Sequence, residues 1–102
     1  MVEFNANLVS AQEIFDQTRA LQVFPNPSDN MTTAAFYLVT ASKITLNLFN
    51  SFGQKVWTYG PVNLPGGAQA VEINTGNLTP GVYVLQLSSG DKMVTRKLTV
   101  TR

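Results

Sequence analysis

Two of the most versatile side chains in protein chemistry are missing here. The chain of 102 residues contains no histidine and no cysteine. Without histidine it lacks the usual general base near neutrality, the usual metal ligand and the usual pH switch. Without cysteine it can form neither disulfides nor thiolate metal sites, and its redox compartment stays undetermined. The carboxylates Glu3, Glu13, Asp16, Asp29, Glu72 and Asp91 are scattered one to an element, and their spacing suggests no hydrolytic pair. Serines are plentiful, yet a triad has no base and no nucleophile-elbow motif occurs. Gly66-Gly67 precedes a strand pattern and lacks a following helix, so it is not a phosphate loop. Asp29-Asn30 is too poor in carboxylates for calcium. Asn30-Met31-Thr32 and Asn77-Leu78-Thr79 fit the glycosylation acceptor pattern, which arises often by chance. The expectation is a non-enzymatic protein with no catalytic residue, no cofactor and no metal.

Two groups of residues remain as candidates for binding. Phe49, Phe52, Trp57 and Tyr59 sit on or beside two successive strand patterns, where Trp with Tyr can form a sugar-stacking platform. The bland alternative, which large aromatics in sandwiches usually follow, puts Trp57 in the core. The other group is basic. Four of the seven basic residues, Lys92, Arg96, Lys97 and Arg102, fall in the last eleven positions beside the single acid Asp91. They read either as a charged strand guarded against edge-to-edge pairing or as a basic handle.

The elements that must position these residues are short strands. At 102 residues and 44% hydrophobic the chain suits one domain with one core, and disorder is not expected. A net charge of +1 gives no case for nucleic acid or anionic lipid. No apolar run approaches the roughly 20 residues that span a bilayer. The opening residues lack a basic-then-apolar pattern, so any signal peptide is expected upstream, and Met1 reads as an added start.

Strand patterns cover residues 20–24, 32–39, 43–50, 54–59, 68–73, 82–88 and 92–101. Pro25-Asn26-Pro27-Ser28, Ser51-Phe52-Gly53, Pro65-Gly66-Gly67, Thr79-Pro80-Gly81 and Ser89-Gly90-Asp91 separate them. Ile44, Leu46 and Leu48 alternate with Thr45 and Asn47; Val71 and Ile73 flank Glu72. Tyr83, Leu85 and Leu87 alternate with Val84 and Gln86, and Leu98 and Val100 alternate with Lys97 and Thr99. Period two marks antiparallel strands with one buried face. The predicted fold is an all-β, immunoglobulin-like antiparallel sandwich of about seven strands. Residues 1–19 form an extension before the domain at 20–102, with a capping box at Ser10-Ala11-Gln12-Glu13 that allows a short helix.

Four motifs, read in order, resemble a known family. They are Val23-Phe24-Pro25-Asn26-Pro27, Leu48-Phe49-Asn50-Ser51-Phe52-Gly53-Gln54-Lys55-Val56, Leu78-Thr79-Pro80-Gly81-Val82-Tyr83-Val84, and the run Lys92, Met93, Val94, Thr95, Arg96, Lys97, Leu98, Thr99, Val100. Over residues 20–102 the chain resembles the type A carboxyl-terminal sorting domain of type IX secretion cargo. Phe24 stands where tyrosine is common. Each motif also has a local role in the chain. Pro25 and Pro27 end a strand, Asn26 and Ser28 hold the turn by bonding their own backbone, and Gly53 takes positive φ. Pro80 and Gly81 reverse the chain before the most hydrophobic strand, where Tyr83 buries its ring and keeps its hydroxyl wet.

The resemblance implies an export signal for an appended cargo, read by the outer-membrane translocon of a Gram-negative bacterium after passage through the periplasm. A surface sortase then cuts before Leu21, and the cargo is secreted or held on the cell surface. The residues from Lys92 to Val100 are the expected recognition segment. A final strand with a free end favours strand addition to a receptor and makes a strand-exchanged dimer a hazard. A carbohydrate-binding or adhesive sandwich module is the rival reading.

Overall fold

The computed structural model describes residues 21–101. The extension at 1–19, with its capping box and expected cleavage stretch, lies outside the described residues. Seven strands follow in order: β1 (Gln22–Phe24), β2 (Met31–Leu38), β3 (Ser42–Phe49), β4 (Lys55–Leu64), β5 (Gly67–Asn74), β6 (Gly81–Ser89) and β7 (Lys92–Val100). They form two antiparallel sheets, ordered β1-β2-β5 and β4-β3-β6-β7. In a seven-strand immunoglobulin constant-type domain the fourth strand joins the first sheet. Here β4 pairs with β3 instead, giving three strands over four.

The expected alternation supplies the core. Ile44, Leu46 and Leu48 of β3, Leu85 and Leu87 of β6, and Leu98 of β7 have no exposed surface. Ala34, Phe36 and Leu38 of β2, with Ile73 of β5, face them from the other sheet. Each buried leucine or isoleucine is worth roughly 2 kcal/mol of transfer free energy, against about 1 kcal/mol net for a typical hydrogen bond. The packed rows therefore hold the sheets together, and the polar contacts decide how the ends close. Buried Ser28, Thr32 and Thr75 are satisfied: Ser28 Oγ lies 2.6 Å from Thr75 Oγ1, and Thr32 Oγ1 donates to Pro25 O at 2.9 Å.

One boundary differs from expectation. The fourth strand, predicted to stop at residue 59, continues through Gly60-Pro61 to Leu64. Between Ile44↔Val62 and Leu46↔Tyr59, β4 spends three residues where β3 spends two, which is a β-bulge. Gly60 takes φ +97° there, and a Cβ on it would meet Ile44 O at 2.7 Å. The dipeptide that reads as a strand breaker is thus a bulge on an edge strand, where proline costs no ladder bond. The extra residue flips the alternation, so Val62 and Leu64 turn toward the core as Trp57 and Tyr59 do.

Candidate recognition surface

The expected recognition residues Lys92 to Val100 form β7, paired with β6 from Ser89↔Lys92 to Gly81↔Val100. They do not share one surface. Leu98 and Val100 are core, and Val94 packs half-buried against it. Met93, Thr95 and Lys97 are exposed on the opposite face. Arg96 stands at a core-facing position opposite Leu85, yet the sheet edge leaves it exposed, and its Nη1 donates to Thr95 O at 2.8 Å. Lys92 pairs with Asp91 at 3.1 Å, and its hydrogen bond and charge hold the Asp91 carboxyl below its ordinary value.

The last strand is also not open at its end. Asn26 does not bond its own turn, as its position between two prolines suggests. Instead its Nδ2 donates to Lys97 O at 2.9 Å and its Oδ1 accepts from Thr99 N at 3.1 Å. Ser28 adds a parallel bridge to Val100, donating its N–H to Thr99 O at 2.7 Å and accepting from Thr101 N at 2.8 Å. Asn26 and Ser28 together act as a substitute neighbour strand over the final third of β7. Pro25 and Pro27 flank Asn26, and β1 ends at Phe24 just before them.

Two further turns gather at the same pole. Gly53 takes φ +81° as expected, and the turn around it is organised by Asn50, whose Oδ1 accepts from Phe52 N at 2.9 Å and Gln54 N at 3.0 Å. Residues 50–52 and 79–83 line a shared groove. Tyr83 opens β6 with its ring buried, but its hydroxyl does not stay wet: it donates to Thr79 O at 2.5 Å. That bond to a backbone oxygen four residues upstream is the tyrosine corner of immunoglobulin-like sandwiches. Gly81, following Pro80, pairs with Val100 and so joins this corner to β7. Four motifs from distant parts of the chain thus gather at one pole.

The whole sandwich matches a known group of domains: residues 22–101 match the family described as secretion system C-terminal sorting domain. The chain belongs to that family. As a type IX sorting domain it marks cargo that is secreted or displayed on the surface of a Gram-negative bacterium, and it serves the secretion machinery and the cargo attached to it. No curated protein matches the chain. Among solved structures it is similar to the sulfur carrier protein SoxY from Chlorobium limicola f thiosulfatophilum, at 14% identity over 98% of this chain and 96% of that one. The TM-score of that pair is 0.44.

The aromatic candidates of the sorting domain divide. Trp57 and Tyr59 stack with centroids 6.5 Å apart and planes 8° apart, half-buried and packed against the core. The outward platform a sugar would need is not built from them. Phe52 is the outlier, 85% exposed at the tip of the Asn50 turn. Sequence reasoning passes over Asn50 and Thr79 as site builders. An asparagine opening a glycine turn is a local signal for Asn50, and the four-residue spacing to Tyr83 is the signal for Thr79. The reach of Asn26 across 71 residues has no local signal.

Proposed function

We propose that the sorting domain is a folded, non-catalytic address, read by the outer-membrane translocon through the motif pole together with β7. The gathering of all four motifs at one pole, with the Asn26 turn and Gly81 meeting the end of β7, supports this reading. A local peptide signal would have no need of Asn26 reaching 71 to 73 residues along the chain to cap the end of β7. In this reading the cargo first crosses into the periplasm by its own signal peptide. After outer-membrane passage a surface sortase cuts before Leu21 and joins the cargo to anionic lipopolysaccharide.

The test is a reporter carrying a signal peptide and residues 1–102, expressed in a host that possesses the system. The intact fusion reaches the surface or medium, and removal of residues 93–102 holds it in the periplasm. A reporter that stays periplasmic with the domain intact, or leaves unimpeded after the deletion, contradicts the proposal. The deletion also removes core Leu98 and Val100, so Phe52→Ser, which touches no core position, separates a lost signal from a lost fold.

A further inference from the structure

The β7 edge is closed at one end and open at the other. Thr99 directs both its N–H and its C=O away from β6, into Asn26 and Ser28. The β6–β7 register is unbroken from Lys92 to Val100. Period two therefore places the backbone groups of Met93 and Thr95, and the N–H of Lys97, along the same outer edge. Thr95 O takes the Arg96 guanidinium. Met93 N and O, Thr95 N and Lys97 N have no partner among the described residues. The gap spans roughly 14 Å, about five residues of strand.

The side chains beside the gap are chemically one-sided. Arg96 and Lys97 are exposed, and neither pairs with a carboxylate among the described residues. The nearest acid in sequence, Asp91, is already engaged by Lys92. Met93 is 58% exposed, and Val94 is half-buried on the core side. A strand entering the gap would find apolar contact at Met93 and Val94 and two unneutralised cations next along the edge. We infer that the open half of the β7 edge accepts an extended, carboxylate-bearing segment of a partner protein by strand addition, continuing the row that Asn26 and Ser28 begin. A second copy of β7 is the poorer occupant, because it would bring two more uncompensated cations to a contact of five residues. For the partner's belonging to the export machinery, the inference rests on the function proposed above.

The experiment is amide hydrogen exchange and NMR titration on the 102-residue chain. In the free protein the Met93, Thr95 and Lys97 amides exchange at least 100-fold faster than those of Thr99 and Thr101. The probe is a capped octapeptide alternating valine with glutamate. It gives saturable shifts and slowed exchange at Met93, Thr95 and Lys97, and its counterpart alternating valine with lysine binds at least tenfold more weakly. The double variant Arg96→Glu, Lys97→Glu, altered only at exposed positions, reverses that preference. No saturable shift at millimolar peptide, or equal response to both peptides, overturns the inference. So does slow exchange of the three amides in the free protein: if it is independent of concentration the chain covers its own edge, and if it grows with concentration a second copy does. Export abolished by deleting residues 93–102 alongside an unresponsive edge leaves the sorting role standing and removes strand addition. A responsive edge with export indifferent to the deletion does the reverse.

Discussion

The two poles of the sandwich are closed by different means. At the motif pole two side chains reach across the chain, Asn26 to Lys97 and Thr99 and Ser28 to Thr75, while Asn50 and Tyr83 bond within their own turns. At the opposite pole most side-chain bonds stay inside their own turn. Thr40 donates to Ala41 O, Ser42 to Thr40 O, Gln69 to Pro65 O and Lys92 to Asp91, with Ser88 to Thr45 O and Ser89 to Lys43 O the long-range exceptions. A turn held by local bonds needs only to reverse the chain. A pole braced across 71 to 73 residues fixes a surface, which is what a partner reading the domain requires.

Substitutions at the two poles should therefore differ in cost. The largest effect is expected at Tyr83. Tyr83→Ala removes a ring from the core and the corner bond with it, for about 4 kcal/mol by chemical denaturation. Tyr83→Phe keeps the ring, leaves Thr79 O short of its donor and costs about 1–2 kcal/mol. A near-neutral Tyr83→Phe would mean the corner bond adds little. Next comes Asn26→Ala, which strips two bonds from the β7 edge and costs about 1–2 kcal/mol, with faster amide exchange at Thr99. Its counterpart at the far pole, Ser42→Ala, loses one exposed local bond and stays within about 0.5 kcal/mol of the parent. Equal costs for Asn26→Ala and Ser42→Ala would erase the distinction.

The same contrast explains what could be read from sequence. Alternation in residues 44–48, 83–87 and 98–100 places the core correctly, because a sheet face is a local, period-two property. Pro25, Pro27 and Gly53 mark turns because their backbone restrictions are also local. Gly60-Pro61 misleads: its meaning depends on whether β4 is an edge strand and on the carbonyl of Ile44 beside it, neither of which appears in the dipeptide. The segment from Lys92 to Val100 is legible as a strand, but its division into core, capped edge and open edge is set by Asn26 and Ser28, far away in the chain.

A paired surface substitution bears most directly on the claim that the braced pole is what the export machinery reads. Phe52 is 85% exposed at the motif pole, and Val39 is 51% exposed at the opposite one. Phe52→Ser and Val39→Ser should both leave the folding stability within about 0.5 kcal/mol of the parent. In the reporter fusion, Phe52→Ser is predicted to cut surface delivery severalfold while Val39→Ser leaves it intact. Equal delivery by the two variants, or a loss confined to Val39→Ser, would contradict the account.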